Sequence, residues 1–78
     1  MPKGKELAAA RVLAGLSQKE MARLAKLDTS TIVRMEGSPG TARGHLSNVE
    51  KVLLVLEKQG VELASDGSIR TISKPGKR

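Results

Sequence analysis

Between Gly15 and Gly37 the chain is punctuated so closely that only short elements fit, and the marks are helix marks. Ser17-Gln18-Lys19-Glu20 is a capping box, in which Ser17 caps a helix start and Glu20 reaches back to it. Gly15, able to take positive φ, ends an earlier helix just before it. Lys26-Leu27-Asp28 then reads as a three-residue turn, with Asp28 positioned to cap the next helix. Gly37-Ser38-Pro39-Gly40 stops that helix. Two short helices joined by such a turn make a helix-turn-helix, spanning Ser17 to Glu36.

Apolar spacing fills in the rest. A first helix is predicted from about Lys5 to Ala14, with Leu7, Ala10, Leu13 and Ala14 on one face. The second runs to about Ala25 and buries Met21, Ala22 and Ala25. The third, Thr29 to Glu36, turns Ile32 and Met35 inward. The longest starts at His45 or Ser47 and ends at Gln59, with Leu46, Val49, Val52, Leu53 and Leu56 as its stripe and Gly60 as the residue past its end. Beyond Gly60 the period drops toward two. Val61 and Leu63 alternate with Glu62 and Ala64, Asp66-Gly67 signals a turn, and Ile69 and Ile72 follow, as in a hairpin. A lone hairpin is marginal in water, so it must pack on the fourth helix or pair with another chain.

The expectation is a compact all-α domain of four main helices with a short C-terminal β-hairpin. Residues 1–60 form the helix-turn-helix domain, 61–72 a hairpin extension able to serve in dimerisation, and 73–78 a basic disordered tail. With 78 residues there is room for one domain with a marginal core, which dimerisation would reinforce. The chain has no Phe, Tyr or Trp, so that core is aliphatic, and the stacking platforms of single-strand and RNA binders are missing. It has no cysteine either, which removes disulfides, thiolate zinc sites and thiol nucleophiles and agrees with a reducing cytoplasm. One histidine and scattered carboxylates offer no metal set and no activated nucleophile, so neither an enzyme nor a cofactor is expected. No apolar run is long enough for a membrane span, and the basic start followed by an Arg11-containing helix does not read as a signal peptide.

The net charge of +6 is unevenly placed. Residues 1–43 carry eight Lys/Arg against four acids, 44–73 three against four, and 74–78 three against none. Positive charge thus gathers where a polyanion would lie, although ordinary solubility charge has the same composition.

Arg11 to Gln18, Glu20-Met21-Ala22 and Ser30 to Gly37 resemble the Cro/phage-repressor (Xre) family of helix-turn-helix proteins. The resemblance covers about Leu7 to Leu56 and implies a lambda-repressor-like fold. It implies that Gln18 touches a phosphate and supports the recognition helix, and that Thr29, Ser30 and Arg34 meet base edges. Arg11 and Glu36 match a pair that often forms a buried salt bridge, and Arg43 matches a loop that contacts backbone or minor groove. One position departs from the family: Lys26 stands where a glycine is usual, at a cost of about 1 kcal/mol if it is left-handed.

The physical case agrees with this assignment. At about 100° per residue, positions 29, 30, 33 and 34 share the face opposite Ile32 and Met35. Arg34 can fork onto guanine, whereas Thr29 and Ser30 are short and suit phosphates or a thymine methyl. Plainer roles exist for each: Gln18 as an exposed first-turn residue, Thr29 and Ser30 as capping residues, Arg34 as a solvated cation. His45 reads as solvated rather than as a ligand. With the positions that the resemblance implies, the expected DNA-facing set is Gln18, Lys19, Thr29, Ser30, Val33, Arg34 and Arg43. The expected function is sequence-specific binding of double-stranded DNA by a cytoplasmic homodimer acting as a repressor. The rival is a helix-turn-helix shell used as a protein-interaction module, an antiactivator or antitoxin docking on a protein partner.

Overall fold

In the computed structural model, residues 3–38 and 46–72 are described. Helices α1 (Gly4–Leu13), α2 (Gln18–Ala25), α3 (Thr29–Glu36) and α4 (Leu46–Lys58) precede strands β1 (Val61–Leu63) and β2 (Ile69–Thr71). The expected positions of Arg43, of His45 and of the 73–78 tail lie outside the described residues, as does the side chain of Leu46.

The helix ends follow from local chemistry. Ser17 Oγ accepts from Glu20 N–H at 3.0 Å and Ser17 N–H donates to Glu20 Oε1 at 2.8 Å, so α2 opens with two of its orphan donors satisfied. Helices α1 and α2 close by the same device. Leu16 N–H reaches back to Arg11 O and Gly15 N–H to Val12 O; Leu27 N–H likewise reaches Ala22 O, and Lys26 N–H reaches Arg23 O. Each is a Schellman closure hinged on a left-handed residue: Gly15 at φ 79° in the first, Lys26 at φ 60° in the second. The lysine at the turn therefore bears the Cβ strain that glycine would avoid. Asp28 holds the N-cap position of α3, and its carbonyl accepts from Thr31 and Ile32, but its carboxylate makes no capping bond.

The core consists of Leu7 and Ala10 from α1, Met21, Ala22 and Ala25 from α2, Ile32 and Met35 from α3, Val49, Val52, Val55 and Leu56 from α4, and Val61 from β1. Two residues depart from the periodic reading. Leu13 is 53% exposed. It lies about 120° around α1 from Leu7, while Arg11 falls inside the stripe. Val55 is buried because α4 packs on α2 along one side and on β1 along another, widening its buried arc beyond a single stripe.

Gly4 lets α1 approach α3. A Cβ there would sit 2.6 Å from Met35 O, 2.7 Å from Glu36 O and 2.9 Å from Ser38 O. The first turn of α1 thus rests on the last carbonyls of α3.

The hairpin pairs Val61 with Thr71, Glu62 with Arg70 and Leu63 with Ile69, antiparallel. Its tip is a β-turn, with Gly67 N–H on Ala64 O and Ala64 N–H on Ser68 O, and Gly67 takes positive φ, 92°, just after it. Val61 is buried, and Leu63 and Ile69 pack partly on the core, so the hairpin's apolar face is used within the chain. Strand β2 ends one residue short of Ile72, whose N–H still donates to Gly60 O at 2.8 Å. Among the described residues no helix is long and apolar enough to cross a membrane.

Candidate nucleic-acid interface

Helix α3 turns Ile32 and Met35 fully into the core, at 1% exposure each. Rotation by roughly half a turn then leaves Thr29, Ser30, Val33 and Arg34 exposed on its other face. Val33 is 48% exposed, an apolar residue in the middle of a polar surface. Lys19, on the first turn of α2, is exposed and lines an open cleft between α2 and α3 together with Arg23, Asp28 and Thr29. That cleft joins Lys19 to the start of α3. It also brings in Arg23, which the sequence reading passed over although it stands four residues after Lys19, one helical turn along the same face.

The attitude of α3 is set by a side-chain network at its C-terminal end. Arg11 Nε donates to Glu36 Oε2 at 2.7 Å and Arg11 Nη2 to Glu36 Oε1 at 3.1 Å, a bidentate fork. The third contact of the guanidinium is Nη1 to Leu16 O at 2.8 Å, in the turn between α1 and α2. Gln18 Nε2 donates to Glu36 Oε1 at 3.0 Å. The Arg11 and Glu36 side chains retain only 14% and 9% of their surface. Glu36 carries negative charge at the negative end of a helix dipole, and the guanidinium offsets that cost. One carboxylate thereby ties the end of α1, the start of α2 and the end of α3.

Gln18 is thus placed differently from Lys19, Thr29, Ser30, Val33 and Arg34. One N–H of its amide is committed to Glu36, so it meets an outside anion only with its second N–H or its backbone N–H. Ser38 completes the end of α3 by donating its hydroxyl to Arg34 O at 3.0 Å.

Hydrogen bonds from Ser17, backbone first and then hydroxyl, hold the Glu20 carboxyl below its usual pKa. The arrangement can present donors and cations to a polyanion. Among the described residues no group of three or more His, Cys, Asp or Glu could hold a metal ion. No protein-family model matches the chain, and no curated protein is a match for it.

Proposed function

We propose that this chain is a sequence-specific double-stranded DNA-binding regulator of lambda-repressor-like architecture, which inserts α3 into the major groove. The observation that carries the reading is the face of α3: Thr29, Ser30, Val33 and Arg34 stand exposed on a helix braced from behind by Arg11, Gln18 and Glu36. A recognition helix must project base-reading side chains from a rigid mount, and an exposed face on a braced helix supports that reading. Arg34 reads guanine, Val33 and Thr29 favour a thymine methyl, and Lys19, Gln18 and Arg43 take phosphates. The regulator proposed is a symmetric dimer in the cytoplasm that represses by occupying a promoter with two copies of this surface.

The test is retardation of the protein's own promoter fragment over a range of salt. The logarithm of affinity should fall linearly with the logarithm of salt, with a slope of about −0.9 per phosphate neutralised. On a panel of single-base operator variants, Arg34→Ala should flatten the preference at one position per half-site, at roughly 1–3 kcal/mol. Arg43→Ala should weaken all sequences more evenly. An unchanged preference profile in a folded Arg34→Ala protein rejects the base-reading assignment.

The exposed Val33 also favours a second reading, a protein-interaction module of the antiactivator or antitoxin kind, because apolar surface at the centre of a patch suits a protein partner. Absence of any specific DNA complex at moderate salt would select it.

A further inference from the structure

A second surface lies between α2 and α4. Leu24 and Leu54, 36% and 51% exposed, stand over Ala25 and Val55 in an open groove of about 330 Å³. Lys26, Lys51 and Lys58 also line it, and among the described residues no carboxylate does. The spacing on α4 explains the pattern: Lys51, Leu54, Val55 and Lys58 fall at i, i+3, i+4 and i+7, one stripe along the helix. The acids of α4 are kept off it. Glu50 and Glu57 repeat at the same seven-residue interval one position earlier, and Glu57 lines a separate cleft with Leu53 and Glu62.

We propose that this groove docks an acidic amphipathic helix of a partner protein, whose apolar residues cover Leu24 and Leu54 while its carboxylates meet Lys26, Lys51 and Lys58. Charge selects among the occupants. Residues 73–78 contain Lys74, Lys77 and Arg78 with no acid, and residues 39–45 contain Arg43 with no acid, so neither segment of this chain complements the groove. A second copy seated by a two-fold would set lysines against lysines, which like-charge juxtaposition penalises. An acidic helix satisfies both components, since a groove between two helices accepts a third and anchors at i and i+3 or i+4 reach its floor. None of Lys19, Thr29, Ser30, Val33 or Arg34 lines the groove, so this docking does not rest on the DNA-binding reading and leaves the α3 face open.

A library of displayed helix-forming peptides, selected on the full-length chain, tests it. Enriched sequences should combine Leu, Ile, Met or Phe at i and i+3 or i+4 with an excess of Asp and Glu. A synthetic peptide of the enriched sequence should shift the backbone amide resonances of Leu24, Lys26, Leu54 and Lys58. Leu54→Ser should weaken that peptide by about tenfold. Lys51→Glu with Lys58→Glu should reverse the preference to basic peptides, and the circular dichroism of each variant reports that the fold is kept. Retardation of promoter DNA by Leu54→Ser should match the parent chain. Enrichment without acidic bias, or binding that survives Leu54→Ser, overturns the proposal. Self-association that Leu54→Ser abolishes would assign the groove to a second copy, and loss of DNA affinity in Leu54→Ser would assign it to nucleic acid; either also overturns it.

Discussion

Lys26 shows how one side chain can be wrong for its backbone and still be kept. Its φ of 60° and ψ of 45° place a Cβ-bearing residue in the left-handed well, where L-residues lose on the order of 1–2 kcal/mol. Lys26→Gly should therefore raise stability by about 1 kcal/mol, after allowing for glycine's larger freedom in the unfolded chain. Urea unfolding followed by circular dichroism measures this, and an unchanged or lower midpoint would show that the lysine stem repays the strain by packing. Two carboxylates shape the acid limb in the same residue-by-residue way. Glu20 is held below 4.5 by its bonds from Ser17, and Asp66 below 3.8 by bonds from the Ser68 N–H and hydroxyl. Because both folded pKa values are depressed, their contribution is present above the ordinary values and fades as pH falls through and below them. Unfolding midpoints measured down from neutral pH should drop through that window, and Asp66→Asn should flatten the drop.

Beyond the shared core, α1 meets α3 through two contacts of opposite character. Arg11 and Glu36 form a nearly buried ion pair, so removing one partner strands the other. Arg11→Met or Glu36→Leu alone should cost about 3–5 kcal/mol, while the double replacement should recover much of that loss. A double-mutant cycle in denaturant gives the coupling, and additive single losses would mean the pair does not act as a unit. Gly4 is the steric counterpart. At this first position of α1 an alanine in open space would be tolerated, but here its methyl meets three backbone carbonyls, none able to swing away. The clash should win, with Gly4→Ala destabilising by about 1–3 kcal/mol, and a thermal midpoint at or above that of the parent would contradict the close approach.

The hairpin decides how the molecule as a whole can associate. Its inward residues are spent on α1 and α4, so cutting the chain at Gly60 would expose core as well as remove strands. The outer edge of β2 remains informative. Ala64 pairs with Ser68 and Gly60 with Ile72, and alternation of an antiparallel ladder then turns the Thr71 N–H away from β1. If dimers form by pairing of β2 edges, Thr71→Pro removes a donor from that edge without touching the bonds inside the hairpin. Sedimentation should find the parent chain dimeric and Thr71→Pro shifted toward monomer, with palindrome binding weakened more than half-site binding. A parent chain that stays monomeric at high micromolar concentration, free and on DNA, removes the dimer from the proposal.

Helix starts, stops and the hairpin turn were legible in the residues because capping boxes, left-handed glycines and an Asp-Gly turn are decided within a few positions of chain. Ser17-Glu20, Gly15 and Asp66-Gly67 act locally, and they set the end of α1, the start of α2 and the turn between β1 and β2. The exposed face of α3 was legible for the same reason, since one period fixes both the buried pair Ile32 and Met35 and their opposites. Other features depend on which elements meet. No local signal distinguishes Gly4 from any flexible N-terminal glycine until α3 lies across it, or marks Val55 for burial until α4 packs on two neighbours. Gln18 could be placed on the first turn of α2, but its bond to Glu36 and the contact of Arg11 with Leu16 O span three elements. The segregation of Lys51 and Lys58 from Glu50 and Glu57 is written in the sequence, yet α2 alone turns it into a groove. Short-range hydrogen bonding and helical period act through the chain's own neighbours, whereas burial and electrostatic pairing act through space that only packing creates.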